Sequence, residues 1–288
     1  MMVFETITNI HFSRKSIAHV SATQRAFALA FGSLLVAILY LAIIGIPVIQ
    51  PRFWMIVSIQ AVLLTIAFVL RMRALAGAAL SKVLPIMQLQ LVFLLVTNPL
   101  MTNDSVKFMG WVGVLLTAVG IYSSQFTKDH DSATDLLTPF KEIWKPGMRE
   151  MLFVTIIFSV TSNLDKLAIQ SSSGSFYLVV IYSFIAVLLM GMMRFNVASS
   201  SATFRTAMSE SLAPKMLAGG FAQGVTLIGQ VIALTLAPVP FVIAFKQLSV
   251  GVGSLWGLFA RKDRRIPWYG FIGVLLTVIG AVIIALNR

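Results

Sequence analysis

Cysteine is absent from the 288 residues. That excludes a disulfide framework, a thiol nucleophile and thiolate-held metal. Charge is scarce as well. Only 11% of residues are Asp, Glu, Lys or Arg, against roughly a quarter in soluble domains, so a water-soluble globular fold is not expected. Histidine occurs three times, as His11, His19 and His130, each outside the long apolar runs. No His-based metal site or Ser/His pair is therefore expected within those runs. No G-x-x-x-x-G-K-[ST] pattern is present, so ATP hydrolysis is not expected of this chain. These gaps together argue against an enzyme, a catalytic residue, a metal or a cofactor. The first 24 residues also lack a charged stretch leading into an apolar core and a small-residue cleavage site, so no removable signal peptide is expected.

Apolar surface is abundant instead. Hydrophobic residues make up 58% of the chain, and mean hydropathy is +0.91. A helix crossing the hydrocarbon needs about 20 apolar residues. Runs of that kind fall at 26–48, 53–72, 77–100, 108–124, 151–170, 176–193, 214–236, from Pro240 to 260, and 268–286. Nine spans are therefore expected, in an all-α, polytopic membrane helix bundle. Between the fourth and fifth runs, 125–149 gathers Asp129, Asp131, Asp135 and Glu142 with Pro139 and Pro146, and reads as an exposed linker. Trp54, Trp111 and Trp268 stand at run starts, where amphipathic rings favour the interface.

The net charge of +12 does not point to nucleic acid, because the cations sit in short gaps between apolar runs. Alternate gaps divide seventeen Lys and Arg on one side from four on the other, with Arg71, Arg73 and Lys82 counted on the richer side and Lys246 inside a run. The positive-inside rule then places the N-terminus in the cytoplasm and the C-terminus outside. The expected partners are the lipid bilayer and a small-molecule substrate, with no nucleic acid. The expected location is the cell membrane, multi-pass, of the bacterial inner-membrane type.

An internal repeat divides the chain. Gly110-Trp-Val-Gly113-Val-Leu-Leu-Thr117-Ala-Val-Gly120 recurs as Gly270-Phe-Ile-Gly273-Val-Leu-Leu-Thr277-Val-Ile-Gly280, with the Val-Leu-Leu-Thr core fixed between the glycines. Ala74-Leu-Ala-Gly-Ala-Ala-Leu before the third run parallels Thr235-Leu-Ala-Pro-Val-Pro-Phe before the eighth, and Lys15 parallels Lys166. This gives a first repeat at 1–124, the linker at 125–149 and a second repeat at 150–288. Lys15 would then close a membrane helix for which too few residues precede it. A five-plus-five architecture lacking most of its first helix, through a truncated gene model begun at Met1-Met2, is the expectation.

With Asp165-Lys166 at a helix end, the two G-x-x-G-x-x-x-x-x-x-G helices and the hairpins at Leu75-Ala-Gly-Ala and Ala237-Pro-Val-Pro, the chain resembles the EamA-like branch of the drug/metabolite transporter superfamily. That resemblance covers nearly the whole chain. It implies two homologous, inverted five-helix halves and transport of small metabolites. The family pattern has both termini cytoplasmic, whereas the charge count puts this C-terminus outside.

Polar groups inside apolar runs are expensive and mark pathways. In a five-plus-five transporter they belong near the midplane, between the halves. Lys246 and Gln247, Gln88 and Gln90 in the related third run, and Gln60, Gln230 and Asn163 are accordingly the expected substrate-binding residues, with Gln223 a further amide. Lys246 would draw an anionic or zwitterionic group, or else snorkel to a helix end. Asp165 and Lys166 read as a structural pair at a helix end, and the repeated glycines as packing positions. The expected function is secondary transport, as exporter or exchanger, of amino acid-like solutes or organic anions by alternating access. A non-transporting membrane scaffold or accessory subunit is the alternative, and a lipid-linked-substrate flippase a third. A polar central cavity separates the first from the second.

Overall fold

The computed structural model describes residues 20–78, 83, 86–102, 107–124, 143–196, 201–247 and 268–286. The stretch with Lys15, most of the linker, Lys82, Pro85, the three histidines and the eighth run beyond 247 lie outside the described residues. Helices account for nearly all of the rest. They are α1 (Ala22–Ile44), α2 (Arg52–Gly77), α3 (Leu89–Met101), α4 (Phe108–Ser124), α5 (Met148–Gln170), α6 (Gly174–Asn196), α7 (Ser201–Ser211) and α8 (Pro214–Leu236). A ninth, α9, covers 239–247, and α10 is Trp268–Leu286. Five of these, α1, α2, α5, α6 and α8, are long and apolar enough to cross a membrane. The helix α3 has 13 residues and α4 has 17.

The bundle is apolar on its outer face as well as in its core. Along α2 the inward positions run Phe53, Val57, Gln60, Leu64, Phe68, Arg71 and Leu75, at helical spacing. The outward ones are Met55, Ile59, Val62 and Ile66, all exposed. Leu39, Ile43, Val96, Val187 and Val282 are exposed as well, while Gln60, Asn98 and Asn163 are buried. Such an outer surface has no favourable place in water and suits lipid.

Helix ends differ from the apolar runs for local reasons. The helix α1 begins four residues before its run because Ser21 and Gln24 form a reciprocal cap. The Gln24 N–H donates to Ser21 Oγ at 3.2 Å, and the Ser21 N–H donates to Gln24 Oε1 at 2.9 Å. This is the S-x-x-Q form of the capping box. The helix stops at Gly45, where φ is +88° and ψ 174°, a backbone conformation open to glycine and rarely taken by other residues. The helix α2 runs to Gly77, five residues past its apolar run, so Arg73 lies within it as well as Arg71, and Arg71 is buried.

The helix α7 lies in a stretch where no apolar run exists. Its Ala207 and Ser211 are buried, Phe204 and Met208 are half-buried, and Arg205 and Glu210 are exposed, the pattern of an amphipathic helix. The Gln24 side-chain amide ties it to α1, donating to the Ala207 carbonyl at 3.2 Å and to Glu210 Oε2 at 3.1 Å. Gln24→Ala removes both ties and half of the cap, about 1.4 kcal/mol or tenfold in opening. Amide exchange across Ser201–Ser211 is expected to rise by about that factor, read by mass spectrometry.

The helices carrying the repeated motif pack on each other. A Cβ built on Gly113 would stand 2.9 Å from the Gly280 carbonyl oxygen, one on Gly280 would stand 2.6 Å from the Gly113 carbonyl oxygen, and one on Gly120 would stand 2.6 Å from that of Gly273. The middle glycine of each motif thus faces the last of the other, so α4 and α10 run antiparallel. Thr117 and Thr277 occupy the crossing, each donating its hydroxyl to its own i−4 carbonyl at 2.8 Å. Each contact has its counterpart, as in a two-fold pair.

Candidate functional site

Six helices and the turn ahead of α3 line a cavity of about 70 Å³. Arg71 reaches it from α2, Ser162 and Asp165 from α5, Tyr177 and Tyr182 from α6, Gln223 and Gln230 from α8, and Lys246 and Gln247 from α9. Gln90, in the first turn of α3, completes the polar wall. Each of these polar groups stands on the inner stripe of an apolar helix, so the residues that exclude lipid also orient the site.

Asp165 is the hub. Its Oδ1 accepts from Gln60 Nε2 and from the Tyr177 hydroxyl, both at 2.5 Å, and its Oδ2 accepts from Gln230 Nε2 at 3.0 Å. Gln230 turns its carbonyl oxygen the other way, accepting from Lys246 Nζ at 2.9 Å. One amide therefore relays between the carboxylate and the ammonium, and the Lys246 charge acts on Asp165 across it. The ammonium keeps an edge on the cavity. With Arg71 buried beside it, the described wall holds two cations against one carboxylate. Such a wall attracts a ligand carrying negative charge.

A second set of amides adjoins the first. Gln247 Nε2 donates to Gln90 Oε1 at 3.1 Å, and Gln88 Nε2 donates to Gln247 Oε1 at 3.3 Å. Gln90 Nε2 reaches Ser162 Oγ at 3.1 Å. This chain ties α9 to α3 and α3 to α5. Gln223 Oε1 is buried at the cavity with no hydrogen-bond partner, an acceptor open to a donor in the cavity.

Of the residues expected from sequence, Gln90, Gln230, Lys246 and Gln247 line the cavity. Gln60 stands just behind it, bonded to Asp165 and Tyr177, and Gln88 stands behind Gln247. Asn163 faces elsewhere. Its Nδ2 donates to Thr97 Oγ1 at 3.1 Å, and its Oδ1 accepts from Asn98 Nδ2 at 3.0 Å.

Sequence reasoning missed Arg71, Asp165 and the two tyrosines. Asp165 had a signal, as the one carboxylate inside an apolar run, but its neighbour Lys166 suggested a pair. The two side chains diverge. Lys166 Nζ donates to the Ala237 carbonyl at 3.3 Å, at the C-terminus of α8, where the helix dipole favours a cation. Arg71 and the tyrosines had no signal.

No family model and no curated protein matches the sequence. Among solved structures, one known only as the crystal structure of a protein is similar over 100% of this chain and 98% of its own, with a TM-score of 0.61 and 14% identity. Likeness at that identity is one of fold.

Proposed function

We propose that the chain is a secondary transporter of small metabolites that carry a carboxylate, amino acid-like or organic anions, moved by alternating access. In this reading it is an exporter or exchanger of the EamA-like branch of the drug/metabolite transporter superfamily, built from two inverted halves, in a bacterial inner membrane. The observation that carries it is the Lys246–Gln230–Asp165 relay, with Arg71, on a polar cavity inside a bundle whose outer face is apolar. Charged groups at such depth are costly and are retained where a solute passes. The crossing of α4 and α10, in which the motif glycines exchange places, supports the inverted halves.

The proposed cycle follows from the groups present. A substrate carboxylate entering the cavity takes the place of the Gln230 carbonyl at Lys246, and Arg71 supplies the second cation. Gln230 keeps its Nε2 bond to Asp165. A cavity of about 70 Å³ is small against the roughly 300–1,000 Å³ of small-molecule pockets, so a metabolite requires the helices to part. Differential binding to the parted and closed arrangements is what couples solute to motion.

Counterflow in proteoliposomes, with a panel of labelled amino acids and carboxylates, tests the reading. Lys246→Ala is expected to reach the membrane at wild-type yield and to lose counterflow to background. The loss corresponds to about 2–5 kcal/mol for truncating one partner of a buried hydrogen-bonded charge. Wild-type counterflow by that variant would remove Lys246 from the mechanism.

A further inference from the structure

A second hollow, of about 510 Å³, opens at the other end of the same helices, where Arg52 and Ile56 of α2, Thr102 after α3, and Leu167 and Gln170 of α5 line it. The helices α2, α3 and α5 therefore wall both this vestibule and the central cavity. On α2 the vestibule reaches Ile56 and the cavity begins at Leu64, eight residues or about 12 Å further along. Midway, one turn from each, stands Gln60, fully buried. On α5 the two linings come within two residues of each other, at Asp165 and Leu167.

The partition is a polar layer. Gln60 Nε2 lies within reach of three acceptors, the Thr161 carbonyl at 3.1 Å, Asp165 Oδ1 at 2.5 Å and the Tyr177 oxygen at 2.9 Å. An amide has two protons for them. Its Oε1 is buried with no donor. On α3, Asn98 Nδ2 donates to Thr102 Oγ1 at 2.7 Å on the vestibule wall and to Asn163 of α5 at 3.0 Å, which gives a place to the Asn163 cluster that the cavity leaves out. An overcommitted donor end and an unserved acceptor end on one side chain describe a group with a second arrangement close in energy.

We propose that Gln60, held on Asp165 and Tyr177, is the closed gate between this Arg52-bearing vestibule and the central cavity, and that anionic solutes cross here between α2, α3 and α5. This rests on the transporter reading above. Release of Gln60 from Asp165 joins the two spaces. The same carboxylate that balances Lys246 thereby holds the gate, so a substrate that draws Lys246 into new bonds alters the gate's own anchor.

The absence of native cysteine allows a direct test in sealed vesicles, with the charged thiol reagents methanethiosulfonate ethylsulfonate (anionic) and its trimethylammonium counterpart. The reagent is applied on the side that labels Ile56→Cys. Leu64→Cys is expected to react at least about tenfold more slowly than Ile56→Cys, and Gln60→Ala to raise the Leu64→Cys rate about tenfold, the worth of one charge-assisted hydrogen bond, while the Ile56→Cys rate stays put. If Gln60→Ala disturbs the Ile56→Cys rate, Gln60→Met, which keeps the length and loses the amide, takes its place. Arg52→Gln is expected to slow the anionic reagent at Ile56→Cys about threefold, for a unit charge about 6 Å away in water, and to speed the cationic one by about the same factor. Labelling of Leu64→Cys as fast as Ile56→Cys with Gln60 intact, or indifferent to both Gln60 variants, overturns the gate. Absence of any counterflow alongside the expected labelling pattern would instead sink the transport reading while the partition stands.

Discussion

Asp165→Leu is expected to lower stability by about 3 kcal/mol and to abolish transport. The substitution withdraws one acceptor group from three donors, Gln60 Nε2, the Tyr177 hydroxyl and Gln230 Nε2. Buried donors left without acceptors cost about 1–3 kcal/mol each, and Tyr177 and Gln230 are both buried, while Gln60 keeps the Thr161 carbonyl and the Tyr177 oxygen. Lys246 loses its balancing carboxylate at the same stroke. Breaking a buried pair costs about 3–5 kcal/mol, and the half-exposure of Lys246 and Asp165 to the cavity sets this case at the lower end. Thermal unfolding of the purified protein in detergent measures the loss. A melting temperature equal to that of the wild type would mean that the three donors find other acceptors and that Asp165 is not the hub.

Gly220→Val is expected to cost about 3 kcal/mol without touching a polar group of the cavity. A Cβ at Gly220 would stand 2.5 Å from the Ala28 carbonyl oxygen, 2.8 Å from Gly32 Cα and 2.9 Å from the Leu29 carbonyl oxygen. All three are backbone, so no side chain can swing aside, and α8 must move away from α1. That retreat also breaks the bond from Ser33 Oγ to the Gly220 carbonyl, at 3.1 Å. In a bilayer the close approach itself is the adhesive, since lipid tails are as apolar as the side chains. Gly191 provides the contrast, because a Cβ there meets nothing within 4 Å. Gly191→Ala is expected to be neutral or to stabilise by about 0.5–1 kcal/mol through helix propensity. Equal melting temperatures for Gly220→Val and Gly191→Ala would contradict the packing account.

These two sites show why some of the molecule was legible in the sequence. A glutamine or lysine inside an apolar run has so few tolerable places that its position alone suggests an inner wall, and Gln90, Gln230, Lys246 and Gln247 stand there. The glycine and threonine spacing of the two related helices carries its own geometry, and α4 and α10 meet through those residues. Arg71 was not legible because it sits where the apolar run fades, beside Arg73. Charge density there reads as a loop, while Ala74, Leu75 and Ala76 carry the helix on past it. Asp165 was hidden by the opposite charge next to it. Neighbours on a helix point about 100° apart, so Asp165 turns to the cavity and Lys166 to the end of α8. Tyr177 reads equally well as an interfacial ring, and only the packing of α6 on α2 makes it a donor to Asp165. The helix α7 escaped because Ser201–Ser211 is rich in Ser and Thr, weak helix formers, and its apolar stripe is only two turns long.

The vestibule and the cavity belong to a level that spacing does not reach, because each is walled by helices distant in sequence. Gln60 shows this well. Its position in an apolar run marks it as inward-facing, yet its place between two hollows depends on how α2 and α3 each pack on α5.

The central claim is that the buried charges serve solute passage rather than the fold, and the double variant Asp165→Asn/Lys246→Gln tests it most directly. Removing both charges leaves no unbalanced ion, and Gln230, with its amide turned over, can accept from the new amide at 165 and donate to the new amide at 246. A neutral replacement of a buried ion pair is often neutral or stabilising. The account predicts a melting temperature at or above that of the wild type, together with counterflow at background for every solute the wild type moves. A double variant that is as stable as the wild type and transports as fast would contradict it.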